Sequence, residues 1–532
     1  MLTHIHGAKC IGIDAVEVTV EIDIDRGIGI HLVGLADVAV KESLLRTTTA
    51  LEALGFHIPG KKIVINLAPA DLRKNGSGYD LPIAIGIIAA SEQRELPRAG
   101  RFILMGELGL DGSVRPIPGA LPFAEMARNA GYEGIILPAA SALEASGFKE
   151  MQIYGVEGLG DVVRILEGRE DCEDLLVWNT QRYRKAHRAR MNTARDDGGV
   201  DFADIIGQEG AKRGIEIAAS GGHNVIMVGA PGSGKSSLAR AMAAILPPMT
   251  KEEALVTSKI YSVAGKGSPQ DGLVRERPFR APHYSASLPA IIGGGGGDSI
   301  LPGEVSLAHA GILFLDEIGQ MPKSVIEALR GPIEDRSVCI SRLKAKVEFP
   351  SSFMLVAASN PCPCGYYGEG DRCTCTPTQR QSYLGKLSGP ILDRIDLQLW
   401  LHSVPADRIV RAQKAEPSAA VAERVLKARI AQKHRFATES ISTNAEMSVK
   451  QIERYCPLSE ACRTTLENLM LKMGFSMRAY FRIIRVARTI ADLDGAEDIR
   501  PAHLLEAASY RFLDRRNYLL LSGAAGVPGR GL

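Results

Sequence analysis

The sequence lacks a strong charge of either sign: 63 Lys and Arg stand against 61 Asp and Glu, a formal net charge of +2. Attraction to a polyanion must then come from local basic patches, not from a whole-molecule field. No window of about 18 residues is continuously apolar, the length a bilayer-spanning helix needs, so no membrane partner is expected. The opening MLTHIHGAKC shows no charged segment leading into an apolar one, and an untargeted, cytoplasmic protein is expected. Cysteine is sparse, nine in all, and four of the nine crowd into one short loop, which is not how a disulfide framework is spread. A reducing compartment fits that usage. There is no internal repeat, and low complexity is confined to short stretches. A hydrophobic fraction of 45% and a charged fraction of 23% exclude global disorder. Because single cores stop growing at roughly 250 to 300 residues, a chain of 532 residues is expected to hold two or three domains.

What is there divides the chain. Residues 1–167 alternate apolar and polar residues through IDAVEVTVEIDI, turn at RGIGIHLVGL, and pass to helical spacing in DVAVKESLLRTTTALEALGF. KKIVINLAP, FILMGELGL and GIILP add strands, and YDLPIAIGIIAASEQ adds an apolar helix, predicting an α+β domain. Residues 168–200 read as a linker whose second half carries Arg182, Arg184, Lys185, Arg188, Arg190 and Arg195, either a solvated basic segment or one that tracks phosphates. Residues 201–403 alternate strand and helix. The strands NVIMVG, GILFLDE and SFMLVAAS are apolar throughout, as expected in a parallel sheet covered on both faces. Residues 404–515 show only helical spacing, predicting a helical lid, and residues 516–532 read as a flexible tail.

GAPGSGKS, spanning Gly229, Ala230, Pro231, Gly232, Ser233, Gly234, Lys235 and Ser236 and followed by Ser237, is a P-loop set between an apolar strand and a helix. The glycines let backbone N–H groups wrap phosphates, Lys235 reaches the β and γ oxygens, Ser236 ligates Mg²⁺, and the helix N-terminus adds its positive end. GILFLDEI ends a strand in Asp316, placed to hold Mg²⁺, and Glu317, placed to orient the attacking water. ATP and Mg²⁺ are the expected cofactors. Asn360, at the tip of SFMLVAAS, is an amide able to orient water or simply a turn former. Arg394 in GPILDRIDLQL lies between Asp393 and Asp396, so a local ion pair competes with an arginine finger reaching a neighbouring subunit. Arg478 in FSMRAY is a candidate sensor of its own subunit's γ-phosphate. Cys362, Cys364, Cys373 and Cys375 form two C-x-C pairs eight residues apart, either a structural Zn²⁺ site or a metal-free thiol cluster. Arg342, Leu343 and Lys344 sit at the expected tip of a hairpin, where Arg342 and Lys344 are candidates to follow a DNA backbone; an exposed surface loop is the alternative.

Together GAPGSGKS, RPFRAPHYSAS, PGEVSLAHAGILFLDEI, NPCPCGYYG, GPILDRIDLQ and FSMRAYFRIIRVARTIADLDG resemble the bacterial magnesium-chelatase-like AAA+ ATPases of the YifB/ComM type. The resemblance spans nearly the whole chain. It implies a multidomain α/β protein with an N-terminal domain of the Lon-protease-like (ribosomal S5 domain 2-like) fold, a central AAA+ domain and a helical lid. It further implies a hexameric DNA helicase with single-stranded and branched DNA as partners, which drives branch migration as incoming single-stranded DNA pairs with the chromosome during natural transformation, alongside recombination proteins. Asn360 would be the first sensor, Arg478 the second and Arg394 a finger acting in trans. Lon proteases need a serine nucleophile and a later lysine, but here KNGSGYD puts Gly78 at or beside the serine position, with Ser77 off register. VRPIPGALPFAEMA offers no lysine, so the N-terminal domain is expected to bind, as in RadA, and not to cleave. A chelatase-type remodeller of a protein partner and an ATP-switched DNA scaffold are the alternatives.

Overall fold

A computed structural model describes residues 2–35, 37–74, 76–193, 199–267, 272–295, 300–342, 345–386, 389–405 and 415–514. The first domain is a seven-stranded sheet in the order Gly29–Val33, Lys62–Ala68, Asp14–Asp25, Thr3–Ile11, Phe102–Leu104, Gly134–Pro138, Gln152–Val156. Thr3–Ile11 and Asp14–Asp25 form an antiparallel pair, and Asp14–Asp25 runs antiparallel to Lys62–Ala68. The remaining neighbours are parallel. Alternation in VEVTVEI puts Val18, Val20 and Ile22 on the covered face. The helix Asp80–Ala90 is apolar all round and buried on all sides, as its sequence demands. Gly86 lets it approach the sheet, because a Cβ there would stand 2.5 Å from Ile22 Cδ1.

This core runs past the expected boundary at residue 167: Cys172 and Val177 are buried in it, and Trp178 and Tyr183 pack against it. The reason is apolar surface, since LLVW in the first half of the linker has a sheet edge to cover. The basic second half forms the helix Gln181–Thr193, stacked through Tyr183 and His187, with Arg182, Arg184, Lys185 and Arg188 exposed.

The second sheet is parallel throughout, in the order Phe279–Arg280, Ile312–Leu315, Met354–Ser359, Val225–Gly229, Leu397–Leu401. Each strand supplies both faces: Val225 and Met227 enter one core, Ile226 and Val228 the other. The helices Ser418–Arg435, Glu460–Met473, Met477–Leu493 and Pro501–Ser509 build the lid. Their buried residues, among them Val425, Leu466, Ile483 and Ile490, belong to the same cluster as Val225 and Met227, so sheet and lid share one core.

Helix Lys251–Val263 of the second domain docks on helix Ala120–Asn129 of the first domain. At that seam Lys259, 6% exposed, lies 2.6 Å from Glu125 Oε2 and 2.5 Å from Asp14 Oδ1. Ser262 donates to Glu144 at 2.7 Å and its carbonyl accepts from Gly119 N–H at 3.0 Å. A buried ammonium is tolerable only when paired, and both carboxylates come from the other domain.

Candidate nucleotide site

The P-loop follows the C-terminal end of the strand Val225–Gly229, where ligands of open parallel sheets bind. Gly232 at φ 76° and Gly234 at φ 93° adopt the left-handed conformation, open to glycine without a Cβ penalty, that turns the loop into the helix Lys235–Ile245. Lys235 Nζ donates to Gly229 O at 2.7 Å, Ala230 O at 2.9 Å and Asn360 Oδ1 at 3.3 Å. All three protons of the ammonium are thus aimed at acceptors. Burial pulls the Lys235 pKa down, against the opposing pull of Asp316 and Glu317.

Ser236 Oγ donates to Asp316 Oδ2 at 3.2 Å, which brings the two expected Mg²⁺ ligands together at the rim of the loop. An oxygen pair of that kind beside a buried ammonium fits a divalent cation and the phosphates it accompanies. Glu317 stands at φ 50°, a left-handed turn that costs a non-glycine residue of order 1 to 3 kcal/mol. Its N–H is held by Asp316 Oδ1 at 2.9 Å, and the turn takes the Glu317 side chain off the strand direction. Strain stored beside the expected water site is consistent with a functional carboxylate. Asp316, Glu317 and Asn360 are all partly accessible.

Two residues here escaped the sequence reading. Gln208, itself left-handed at φ 62°, donates through Nε2 to Ser233 O at 3.1 Å and His402 O at 2.6 Å, tying the P-loop to the end of the strand Leu397–Leu401. The available signal was a glycine and a glutamine directly ahead of a helix. Tyr383 is buried with its hydroxyl at Ser359, next to Asn360.

Arg394 and Arg478 lie at the opposite end of the sheet. Arg394, 8% exposed, pairs with Glu334 at 2.6 Å, and its carbonyl accepts from the Asn224 side chain at 3.1 Å, just before the P-loop strand begins. Arg478 is exposed and pairs with Asp393 at 2.7 Å. Since Leu397 pairs with Val225 and Leu401 with Gly229, five residues at about 3.3 Å each separate these arginines from their own P-loop. In this conformation Arg478 stands with Asp393 and not beside its own P-loop. The lid is docked by Arg482, 2.5 Å from the buried Asp396, which also accepts from Asn224 N–H at 3.1 Å, and this anchoring swings Arg478 away.

Cys362, Cys364, Cys373 and Cys375 converge, with all four sulfurs within 4.8 Å of one another. Cys362 Sγ is 3.3 Å from Cys364 and 3.8 Å from Cys373, and Cys364 is 3.7 Å from Cys373. A tetrahedral ion with metal–sulfur bonds of about 2.3 Å spaces sulfurs about 3.8 Å apart, so the set fits zinc. Burial pushes the Cys364 thiol up, but the N–H groups of Tyr366 and Thr374 outweigh it and bring it down to about 6. Burial pushes Cys362 up to about 12.

In the first domain Ser77 donates to Glu107, and Lys74 is buried with its ammonium on Pro69 O. A Cβ at Gly78 would stand 3.0 Å from Met105 Cε, so packing fills the serine position. The hairpin Ser337–Arg342 with Ala345–Pro350 exists as expected, antiparallel with Arg342 opposite Ala345. Lys344 and the Arg342 side chain lie outside the described residues. No helix of the described residues is long and apolar enough to cross a membrane.

Residues 201–409 match the family model of magnesium chelatase subunit ChlI, residues 20–141 a second model of the ChlI subunit of Mg-chelatase, and residues 415–511 the ChlI C-terminal model. Over 516 residues the chain is 41% identical to the uncharacterized protein YifB of Salmonella typhimurium, covering 97% of this chain and 98% of that one. It is 41% identical over 520 residues to the competence protein ComM of Haemophilus influenzae, with the same coverage. A stretch of 113 residues is 25% identical to the DNA repair protein RadA of Escherichia coli, covering 21% of this chain and 24% of RadA.

Proposed function

This chain belongs to the YifB/ComM family of magnesium-chelatase-like AAA+ ATPases, and from that premise we propose that it is an ATP-driven motor that moves on DNA and promotes branch migration of recombination intermediates. The observation that carries the motor reading is the division of the catalytic groups between the two ends of one sheet. Lys235, Ser236, Asp316, Glu317 and Asn360 converge at one end, and Arg394 and Arg478 stand at the other. Only a neighbouring subunit can bring the second set to the first, so the working form is a closed ring, for which we take six subunits.

In this reading ATP would supply the phosphoryl group and the energy, and Mg²⁺ would neutralise phosphate charge. The P-loop backbone and Lys235 bind and neutralise the phosphates, Ser236 and Asp316 hold the cation, Glu317 orients and polarises water, and Asn360 positions the γ end. Arg394 and Arg478 of one subunit stabilise charge at the next. Support for DNA as the track comes from ComM being a competence protein, from the exposed arginines of the helix Gln181–Thr193, and from the hairpin that carries Arg342 and Lys344. Contacts to a phosphate backbone there would be electrostatic and salt-sensitive. The first domain serves as a binding platform without peptidase chemistry, the four cysteines hold a structural Zn²⁺, and the protein works in the cytoplasm with DNA and recombination proteins.

A second reading, a remodeller of a protein partner, is favoured by the chelatase family models. ATP hydrolysis measured with and without single-stranded and branched DNA, beside Glu317→Gln, separates the two. Strong stimulation by DNA that disappears in the variant is expected. Turnover indifferent to every DNA by an intact ring would overturn the DNA reading and favour a protein partner.

A further inference from the structure

The cysteine loop is not a peripheral knuckle. It leaves the sheet directly after Asn360 and returns across the mouth of the nucleotide site. Cys362 is fully buried, and Gly365 N–H bonds to Cys362 O at 3.0 Å. A Cβ on Gly365 would stand 2.8 Å from Pro231 Cδ of the P-loop and 3.9 Å from Asn360 Cγ, so the loop backbone packs close to the P-loop proline with Asn360 nearby. Further along, Glu369 accepts from Ser403 N–H at 2.9 Å, and Gly368 lies against the Trp400 ring. Just past Cys375, Thr376 caps the helix Pro377–Leu384, which delivers Tyr383 to Ser359. The cysteine loop therefore runs between Asn360 on one side and the helix carrying Tyr383 on the other, with Gly365 against the P-loop proline.

We propose that Zn²⁺ held by Cys362, Cys364, Cys373 and Cys375 is a brace of the ATPase site, fixing Asn360 and Tyr383 against the P-loop, so that hydrolysis depends on the loaded metal. The proposal rests on the zinc reading above and adds a role to it. A loop rich in glycine has little apolar surface with which to hold one conformation, and cross-linking it through a four-thiolate ion removes that freedom. The Cys364 N–H donates to Cys375 Sγ at 3.4 Å, the kind of second contact that orients a metal-bound thiolate. Lys235 and Ser236 instead open the helix Lys235–Ile245, which is seated in the core through Leu238, Ala239, Met242 and Ile245 and not through the cysteine loop. Loss of the metal should therefore impair turnover more than ATP binding, and Asn360 is here a residue that the brace positions.

The test uses the full-length protein and three readouts: zinc content by mass spectrometry, the kcat and KM for ATP hydrolysis in excess Mg²⁺, and ring size by light scattering. Wild type is expected to carry about one zinc per chain. Cys373→Ser with Cys375→Ser is expected to lose it and to drop kcat by about 100-fold, the scale of a misplaced catalytic group, with KM little changed. Cys375→His, which keeps a ligand, should retain zinc and most of kcat. Should the double variant fail to assemble, a zinc-selective chelator applied to wild type in excess Mg²⁺ decides, with kcat falling on removal and returning when Zn²⁺ is restored. Zinc lost with kcat unchanged would overturn the brace and leave the zinc site standing. Wild type without zinc after growth in supplemented medium would overturn both, leaving the ATPase reading intact.

Discussion

Mixed rings offer a direct measure of whether ATP is hydrolysed between subunits. Arg394 and the P-loop of the same chain are separated by the length of the strand Leu397–Leu401, about 16 Å at 3.3 Å per residue, further than an arginine side chain extends. Arg394→Ala removes a buried guanidinium whose partner Glu334 is 57% exposed, so the urea midpoint is measured beside turnover to separate a loss of fold from a loss of catalysis. Turnover should fall by about 10³-fold or more, the typical contribution of an arginine finger. Lys235→Ala should silence a site by removing the buried ammonium from Gly229 O, Ala230 O and Asn360. Now mix the two inactive proteins in equal amounts and allow subunits to exchange. A site works when its own Lys235 is intact, which holds for half the subunits, and when the adjoining subunit still carries Arg394, which again holds for half. About a quarter of wild-type activity should return, because a head-to-tail ring interface pairs each site with one neighbour. The assay is steady-state ATP hydrolysis, with exchange verified by energy transfer between labelled subunits. Verified exchange with no recovered activity would refute the trans geometry.

Two further outcomes concern stability. Burial works against ionisation of Asp396, but Arg482 and His223 more than compensate and hold its carboxyl well below the usual range. Its contribution is thus present above the unfolded value near 4 and is lost only as pH falls through the much lower folded value. Asp396→Asn leaves Arg482 without its buried partner and should cost about 3 kcal/mol, seen as an earlier urea midpoint and faster hydrogen exchange in the lid helix Met477–Leu493; an unchanged midpoint would contradict the docking role. His309 is pulled down to about 4, chiefly by burial, while its Nδ1 accepts from Ser352 N–H at 3.2 Å. A histidine lowered in the folded state contributes fully above its unfolded value near 6.5 and loses that contribution as pH falls toward 4. Stability should drop by about 1 to 2 kcal/mol from this group between pH 7 and pH 5, and His309→Gln should flatten that part of the profile in denaturant titrations.

The geometry of the loop was legible because it is written locally: Gly232 and Gly234 turn, Lys235 follows, and an apolar strand precedes them. Asp316 and Glu317 were legible for the same reason, as two acids at the end of GILFL. The four cysteines could be grouped by spacing, but spacing carries no information on what their loop covers, and Gly365 against Pro231 appears only in three dimensions. Where Arg478 stands is not legible in sequence, because lid docking runs through Arg482 and Asp396, which lie 86 positions apart along the chain. A glycine and a run of charge suggest an end to the first domain near residue 167, whereas Cys172 and Val177 continue its core beyond. Gln208 went unnoticed since a single glutamine ahead of a helix has no pattern to set it apart.

The core shared by Val225 and Met227 of the sheet with Ile483 and Ile490 of the lid has a mechanical corollary. A protein interior packed to crystalline density does not yield gradually, and sliding the lid over the sheet would open voids along the whole contact. Each chain is in that respect a single stiff lever, and in the ring proposed above a stroke at one joint would tilt the whole lever and re-aim Arg394 and Arg478 at the next instead of being absorbed within any one member.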